Sequence, residues 1–221
     1  ALFGSLALPA CGGGSDDPAP APAAASETLL AFGAVGKSLA DSVLVPAGYT
    51  ASVVYALGDP LAAGVADYQN NGTDGEFDQR AGDHHDGMEW FGLTAGGVPS
   101  AAAADRGLLA VNHEATTDET LSSFFLHANG GTTTLPRPAA EVDKELGIHG
   151  VSVVELRKTG TAWAAVKDSA FNRRLTTLTE IEIAGPARGN ALLVTKYSTA
   201  GTLTRGTLNN CGTGKTPWGS F

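Results

Sequence analysis

The residues best suited to chemistry lie in short, separate segments. Asn209-Asn210-Cys211-Gly212 holds the only cysteine beyond position 11. A thiolate is a soft metal ligand, or a nucleophile where its surroundings stabilise the charge, and the carboxamides of Asn209 and Asn210 add hard oxygens beside it. The plain alternative is an inert cysteine packed in a turn. Asp83-His84-His85-Asp86-Gly87-Met88 sets two imidazoles between two carboxylates. Adjacent residues of an extended chain face opposite ways, so at most one imidazole points into a site, and His85 with Asp86 is the pair selected. Asn112-His113-Glu114 follows the apolar run Leu108 to Val111, and the end of a buried strand can present ligands rigidly. His149-Gly150 and Asn172-Arg173-Arg174 complete the set. Each segment has an ordinary reading as well: an Asp-His turn, a capping Asn, a solvated Arg pair.

Something must hold these segments in place, and the pattern of short apolar runs between turn residues points to strands. Strands are expected near 51–57, 107–112, 150–157, 162–167 and 191–196. Gly150 to Leu156 and Ala162 to Val166, with Gly160 between them, read as a β-hairpin. Helical patterning is confined to Asp118–His127 and Ala139–Leu146. Glycine, at 29 residues, supplies the many turns such an arrangement needs. A mainly β domain follows, sandwich or propeller, with no repeat of fixed period to separate the two.

The N-terminal segment says where the protein resides. Leu6-Ala7-Leu8-Pro9-Ala10-Cys11-Gly12 reads as the end of a bacterial lipoprotein signal, with Cys11 as the lipidated residue. The alternative is a secretory signal whose cysteine is incidental. Residues 1–11 are thus assigned to the signal, 12–27 to a flexible Gly/Pro/Ala linker without a core, and 28–221 to the folded part. Export to the periplasm or cell surface is expected, with the lipid anchor as the only membrane contact. No later apolar run approaches the ~20 residues of a membrane span. If Cys11 carries lipid, Cys211 has no disulfide partner, and metal binding is one explanation for a lone exported thiol. The net charge of −9 argues against nucleic acid as a partner and suits divalent cations.

Taken in order, the polar segments resemble the N-terminal part of the PhoX-type alkaline phosphatase family. The matching stretches are Val45-Pro46-Ala47-Gly48-Tyr49-Thr50, Gly58-Asp59-Pro60, His85 to Met88, Val111 to Glu114, His149 to Val153, Asn172-Arg173-Arg174, Gly185-Pro186-Ala187, and Gly206 to Cys211 followed by Thr216-Pro217-Trp218-Gly219. They run from about Leu39 to Gly219, and the Leu-Asn-Asn-Cys and Thr-Pro-Trp-Gly pair is the most specific part. The resemblance implies a partial β-propeller with short strands and long loops, from a secreted phosphomonoesterase with calcium and iron in its site. It carries over Cys211 as an iron ligand and Asn210, Asn112 and Glu114 as site residues. The residues themselves add Asp86 and His85 to the metal set, and Arg173 or Arg174 as a bidentate clamp on a phosphomonoester substrate. Cys211, Asn210, Asn112, Glu114 and Asp86 are then expected to converge on one side of the sheets.

In that family the segment after Thr-Pro-Trp-Gly continues into further β structure that supplies more carboxylates. Here Phe221 follows closely, so the expectation is an N-terminal portion, inactive alone, whose partner is the missing C-terminal part of the same chain. Two competing readings remain open at this level. One is a lipid-anchored propeller binding protein whose polar turns hold structural calcium. The other is a propeller lactonase or esterase with His85 or His113 as base and no use for Cys211.

Overall fold

The computed structural model describes residues 32–116 and 135–221. The expected helix over 118–127, the leader, Cys11 and the linker lie outside the described residues. The chain divides into two units, one ending at Ala51 and the other running from Ser52 to Phe221. In the first, the rings of Phe32 and Tyr49 meet edge to face at 5.8 Å, and a turn closes with the Tyr49 amide donating to the Pro46 carbonyl.

The second unit is mainly β. Its elements are β1 (His85–Gly92), β2 (Arg106–His113), α1 (Ala139–Ile148), β3 (Gly150–Thr159), β4 (Ala162–Ala165), β5 (Arg173–Leu175), β6 (Glu180–Glu182) and β7 (Leu203–Arg205). The larger sheet has the order β1-β2-β3-β4, and β5 also pairs with β3. Every pairing is antiparallel. β6 and β7 form a separate two-stranded ribbon. The β3–β4 hairpin closes between Thr159 and Ala162, and Gly160 takes the left-handed φ of +62° that so short a turn demands of its first residue.

One face of β2 and β3 makes the core. Strand alternation directs Leu109, Val111 and His113 to the side that receives Ser152, Val154 and Leu156. Tyr55, Leu61 and Ala81 pack onto that face, and Trp90 meets Trp163 edge to face at its rim. A second cluster joins Phe77 to Ile148 at the end of α1.

Two expected strands are absent. Residues 51–57 form none: Gly58 at φ +83° and the Asp59 carboxylate, which accepts from the Ala56 amide at 2.8 Å, turn the chain there while Tyr55 still enters the core. In 191–196 the Asn190 side chain accepts from the Leu192 amide and starts a 3-10 turn over Ala191–Leu193 instead. Conversely, β1 occupies a stretch whose polar residues suggest a loop. Its polar start is accommodated by a bulge between His85 and Met88, where the register against β2 shifts.

Candidate functional site

The site is built where β1 begins and β2 ends. After His113 the pairing continues one step, with the Glu114 amide donating to the His84 carbonyl at 3.0 Å, so Glu114 leaves the sheet in a fixed direction. The bulge at Asp86 and Gly87 aims Asp86 at the same spot. The segment 207–216 then runs across both. Gly87 donates its amide to the Cys211 carbonyl at 3.1 Å, and Asn112 Nδ2 donates to that same oxygen at 2.8 Å. From the other side, Asn209 Nδ2 donates to the Glu114 carbonyl at 3.0 Å. In consequence a carboxylate oxygen of Asp86, one of Glu114 and Sγ of Cys211 lie within 4.8 Å of one another.

This is an electrostatically incomplete arrangement. Hydrogen bonds to Asp86 and then Glu114, with their charges, push the exposed Cys211 thiol up to about 11. A cation between the three groups inverts that balance, because it favours every anionic form at once. The donor set is of a kind that suits the metals the family resemblance implies: hard carboxylate oxygens for calcium, and a thiolate for the softer iron. Asn210, next in the chain to Cys211, has a buried Oδ1 without a hydrogen-bond partner, which is the state of an oxygen that a metal ion would satisfy.

A family model described as alkaline phosphatase PhoX matches residues 30–221. The chain belongs to the PhoX family. A solved structure, Pseudomonas fluorescens PhoX in complex with vanadate, a transition state analogue, is similar to it with a TM-score of 0.71 and 32% sequence identity. The match covers 85% of this chain and 30% of that one, so the chain spans less than a third of the Pseudomonas protein. The mainly β, antiparallel architecture is that of a partial propeller of the PhoX type. No curated protein matches the chain.

Not every polar residue singled out in this PhoX-family chain serves the cluster. His85 and Asp86 part company. The His85 ring stacks on Tyr55 at 5.3 Å and meets His113 at 4.9 Å, on the core side of the sheet, while Asp86 joins Cys211. His85, expected as a metal ligand, is therefore placed half-buried beside the core and outside the cluster. His113 is fully buried, with Nε2 accepting from the Gly82 amide and 2.8 Å from Ser152 Oγ; burial, Arg174 and His85 drive its basicity down to about 2. With no exposed surface, His113 is not placed to meet a substrate as the base of a lactonase. His149 is also buried, and its basicity is lowered by that burial.

Asn172, Arg173 and Arg174 divide as well. Asn172 is a loop staple, donating to the carbonyls of Leu61 and Val166 and accepting from the Glu155 amide. Arg174 donates to the carbonyls of Arg80, Val151, Leu175 and Gly147, and burial lowers it to about 10. Arg173 is exposed and lines a different hollow, of about 300 Å³, with Asp78, Lys167 and Asp168. That hollow contains none of the cluster residues. Two contributors were not selected as site residues from the sequence, Asn209 being read only for an oxygen beside Cys211 and Gly87 only as part of the segment around Asp86. Gly87 is there because a Cβ would come within 2.7 Å of Thr213 and 2.8 Å of the Cys211 oxygen, and Asn209 sits at φ +53°, a conformation that asparagine tolerates. The signal for both was their type: a glycine beside the candidate ligand Asp86, and an asparagine where a left-handed turn was required.

Proposed function

We propose that this chain is part of a metal-dependent phosphomonoesterase of the PhoX type that releases phosphate from organic phosphoesters outside the cytoplasm. The observation carrying the reading is the meeting of Asp86, Glu114 and Cys211 at one point of a PhoX-family fold. The Pseudomonas relative binds vanadate as a transition state analogue, which is how a site built for phosphoryl transfer behaves. Asp86, Glu114 and Cys211 would hold calcium and iron, with Asn210 Oδ1 as a further oxygen. Bound there, these cations supply Lewis acidity that neutralises the phosphoryl oxygens and activates an oxygen nucleophile.

The chain's own residues prepare that chemistry. Cys211 Sγ would lose its proton to solvent on holding a cation shared with the two carboxylates. Asp86 and Glu114 remain as acceptors, and Asn112 and Asn209 fix the loop that carries the sulfur. Arg173 takes no part in this account. The rest of the protein, corresponding to the portion of the Pseudomonas chain not spanned here, contributes the remaining ligands and the group that grips the phosphate. This chain alone therefore binds cations weakly and does not turn over substrate.

Hydrolysis of an aryl phosphate by the full-length protein, with and without calcium, tests the reading. Calcium-dependent release that falls at least 100-fold in Cys211→Ser is the expected result. Undiminished hydrolysis by that variant would exclude the cluster from the chemistry.

A further inference from the structure

We propose that Asn112 and Asn209 are positioning residues: a reciprocal amide clasp between the end of β2 and the 207–216 segment sets Cys211 against Asp86 and Glu114. The inference rests on the cluster being a cation site, and it assigns Asn112 a different task from that of ligand or catalyst. A peptide carbonyl can only accept, so the group that Asn112 turns toward the Cys211 oxygen at 2.8 Å and the Gly212 oxygen at 3.4 Å is its N–H₂. Asn112 is almost fully buried at 5% exposure, and this contact satisfies its donors. The return contact runs the other way, from Asn209 Nδ2 to the carbonyl of Glu114. Each ligand-bearing segment is thus held by an amide from the opposite one.

The clasp has a third point. β1 is an edge strand, and the Gly87 amide, which would otherwise face outward, donates to the same Cys211 oxygen that Asn112 engages. Two donors on one carbonyl fix its direction, and with it the course of the chain at Cys211. Further along, the Lys215 ammonium lies 4.5 Å over the Phe91 ring and donates to the Trp90 carbonyl at 2.9 Å, so the segment stays on β1. Outer contacts of this kind set ligand orientation, and their loss typically weakens metal affinity by about 10 to 100-fold.

Cobalt(II) alone, added in excess to the metal-free full-length protein, reports on the sulfur through thiolate-to-cobalt absorption, and amide exchange at Gly87 in the same cation-free protein reports on the clasp. The variants are Asn112→Ala, Gly87→Ala and Asn209→Gly, the last retaining the left-handed backbone while deleting the amide. Asn112→Ala and Gly87→Ala are expected to lose exchange protection at position 87 and to raise the half-saturating cobalt concentration at least tenfold. Asn209→Gly shows a smaller rise. Glu114→Gln raises the cobalt requirement but keeps Gly87 protected, which separates a ligand from a positioning residue. Retained protection at Gly87 in Asn112→Ala would overturn the clasp. If the unaltered full-length protein gives no thiolate absorption, the cation reading fails instead, and Gly87 exchange still decides whether Asn112 holds the loop.

Discussion

Asp86 and Cys211 bring a carboxylate oxygen and a thiol sulfur within 4.8 Å of each other, although β2, β3 and four further strands separate them along the chain. Without a cation the thiol keeps its proton, since hydrogen bonds to Asp86 and Glu114, with their charges, oppose its ionisation. Asp86→Asn is therefore expected to act differently under two conditions. In cation-free buffer stability changes little, because the sulfur is exposed. With calcium or iron present, the cation-induced rise in melting temperature shrinks. Thermal unfolding with and without metal reads both, and an equal loss in the two conditions would make Asp86 a purely structural residue.

The neighbouring arginines give a sharper contrast. Arg174→Met leaves the carbonyls of Arg80, Gly147, Val151 and Leu175 without their donor. A cost of about 3 kcal/mol or more is expected in urea unfolding, since each buried acceptor left unpaired costs about 1–3 kcal/mol. Arg173→Ala, at an exposed position, is expected to change stability by less than about 0.5 kcal/mol. Similar losses for both would refute the division of labour drawn for them.

Stability should fall on mild acidification. Burial lowers the basicity of His85, His113 and His149, so each binds its proton less readily in the folded than in the unfolded chain. Their contribution is present above the unfolded value of about 6.5 and is lost progressively as pH falls below it. His113, held down to about 2, alone accounts for roughly 2 kcal/mol between pH 7.5 and 5. Urea midpoints measured across that range should decline steadily, and a flat profile would mean that these rings are not sealed.

A second acid step belongs to Glu155. Burial raises its carboxyl, but hydrogen bonds from Arg106, Ser169 and Arg157 outweigh that and hold it at about 2. Its stabilising contribution is complete above the unfolded value of about 4.3 and disappears as pH falls toward 2. Glu155→Gln should flatten the stability profile below pH 4.5 while leaving the histidine step in place.

Much of this was legible in the sequence where pattern and packing agree. β2, β3, β4 and α1 fall where apolar runs and turn glycines put them, because those runs do face the core. Asp86 was selected on residue type and neighbours, Cys211 and Glu114 also on the family resemblance, and the fold brings the three together. Failures arose where local hydrogen bonding overrode hydrophobicity. The apolar residues 51–57 and 191–196 are diverted by Asp59 and Asn190, whose side chains satisfy backbone amides that a strand would have used. His85 was misassigned because adjacency in sequence was read as adjacency in space, whereas the β-strand sends it toward Tyr55 and leaves Asp86 with the sulfur. Nothing in the sequence marked the structural role of Arg174, since its partners are backbone carbonyls drawn from four places in the chain.

The central claim is that Asp86, Glu114 and Cys211 form a cation site with iron at the sulfur. Diffraction from crystals of the full-length protein grown with iron, recorded on both sides of the iron absorption edge, tests it most directly. The account predicts an anomalous peak bonded to Cys211 Sγ and to carboxylate oxygen from Asp86 or Glu114, absent from crystals of Cys211→Ser. Iron bound elsewhere, with the Cys211 thiol free beside the two carboxylates, would contradict it.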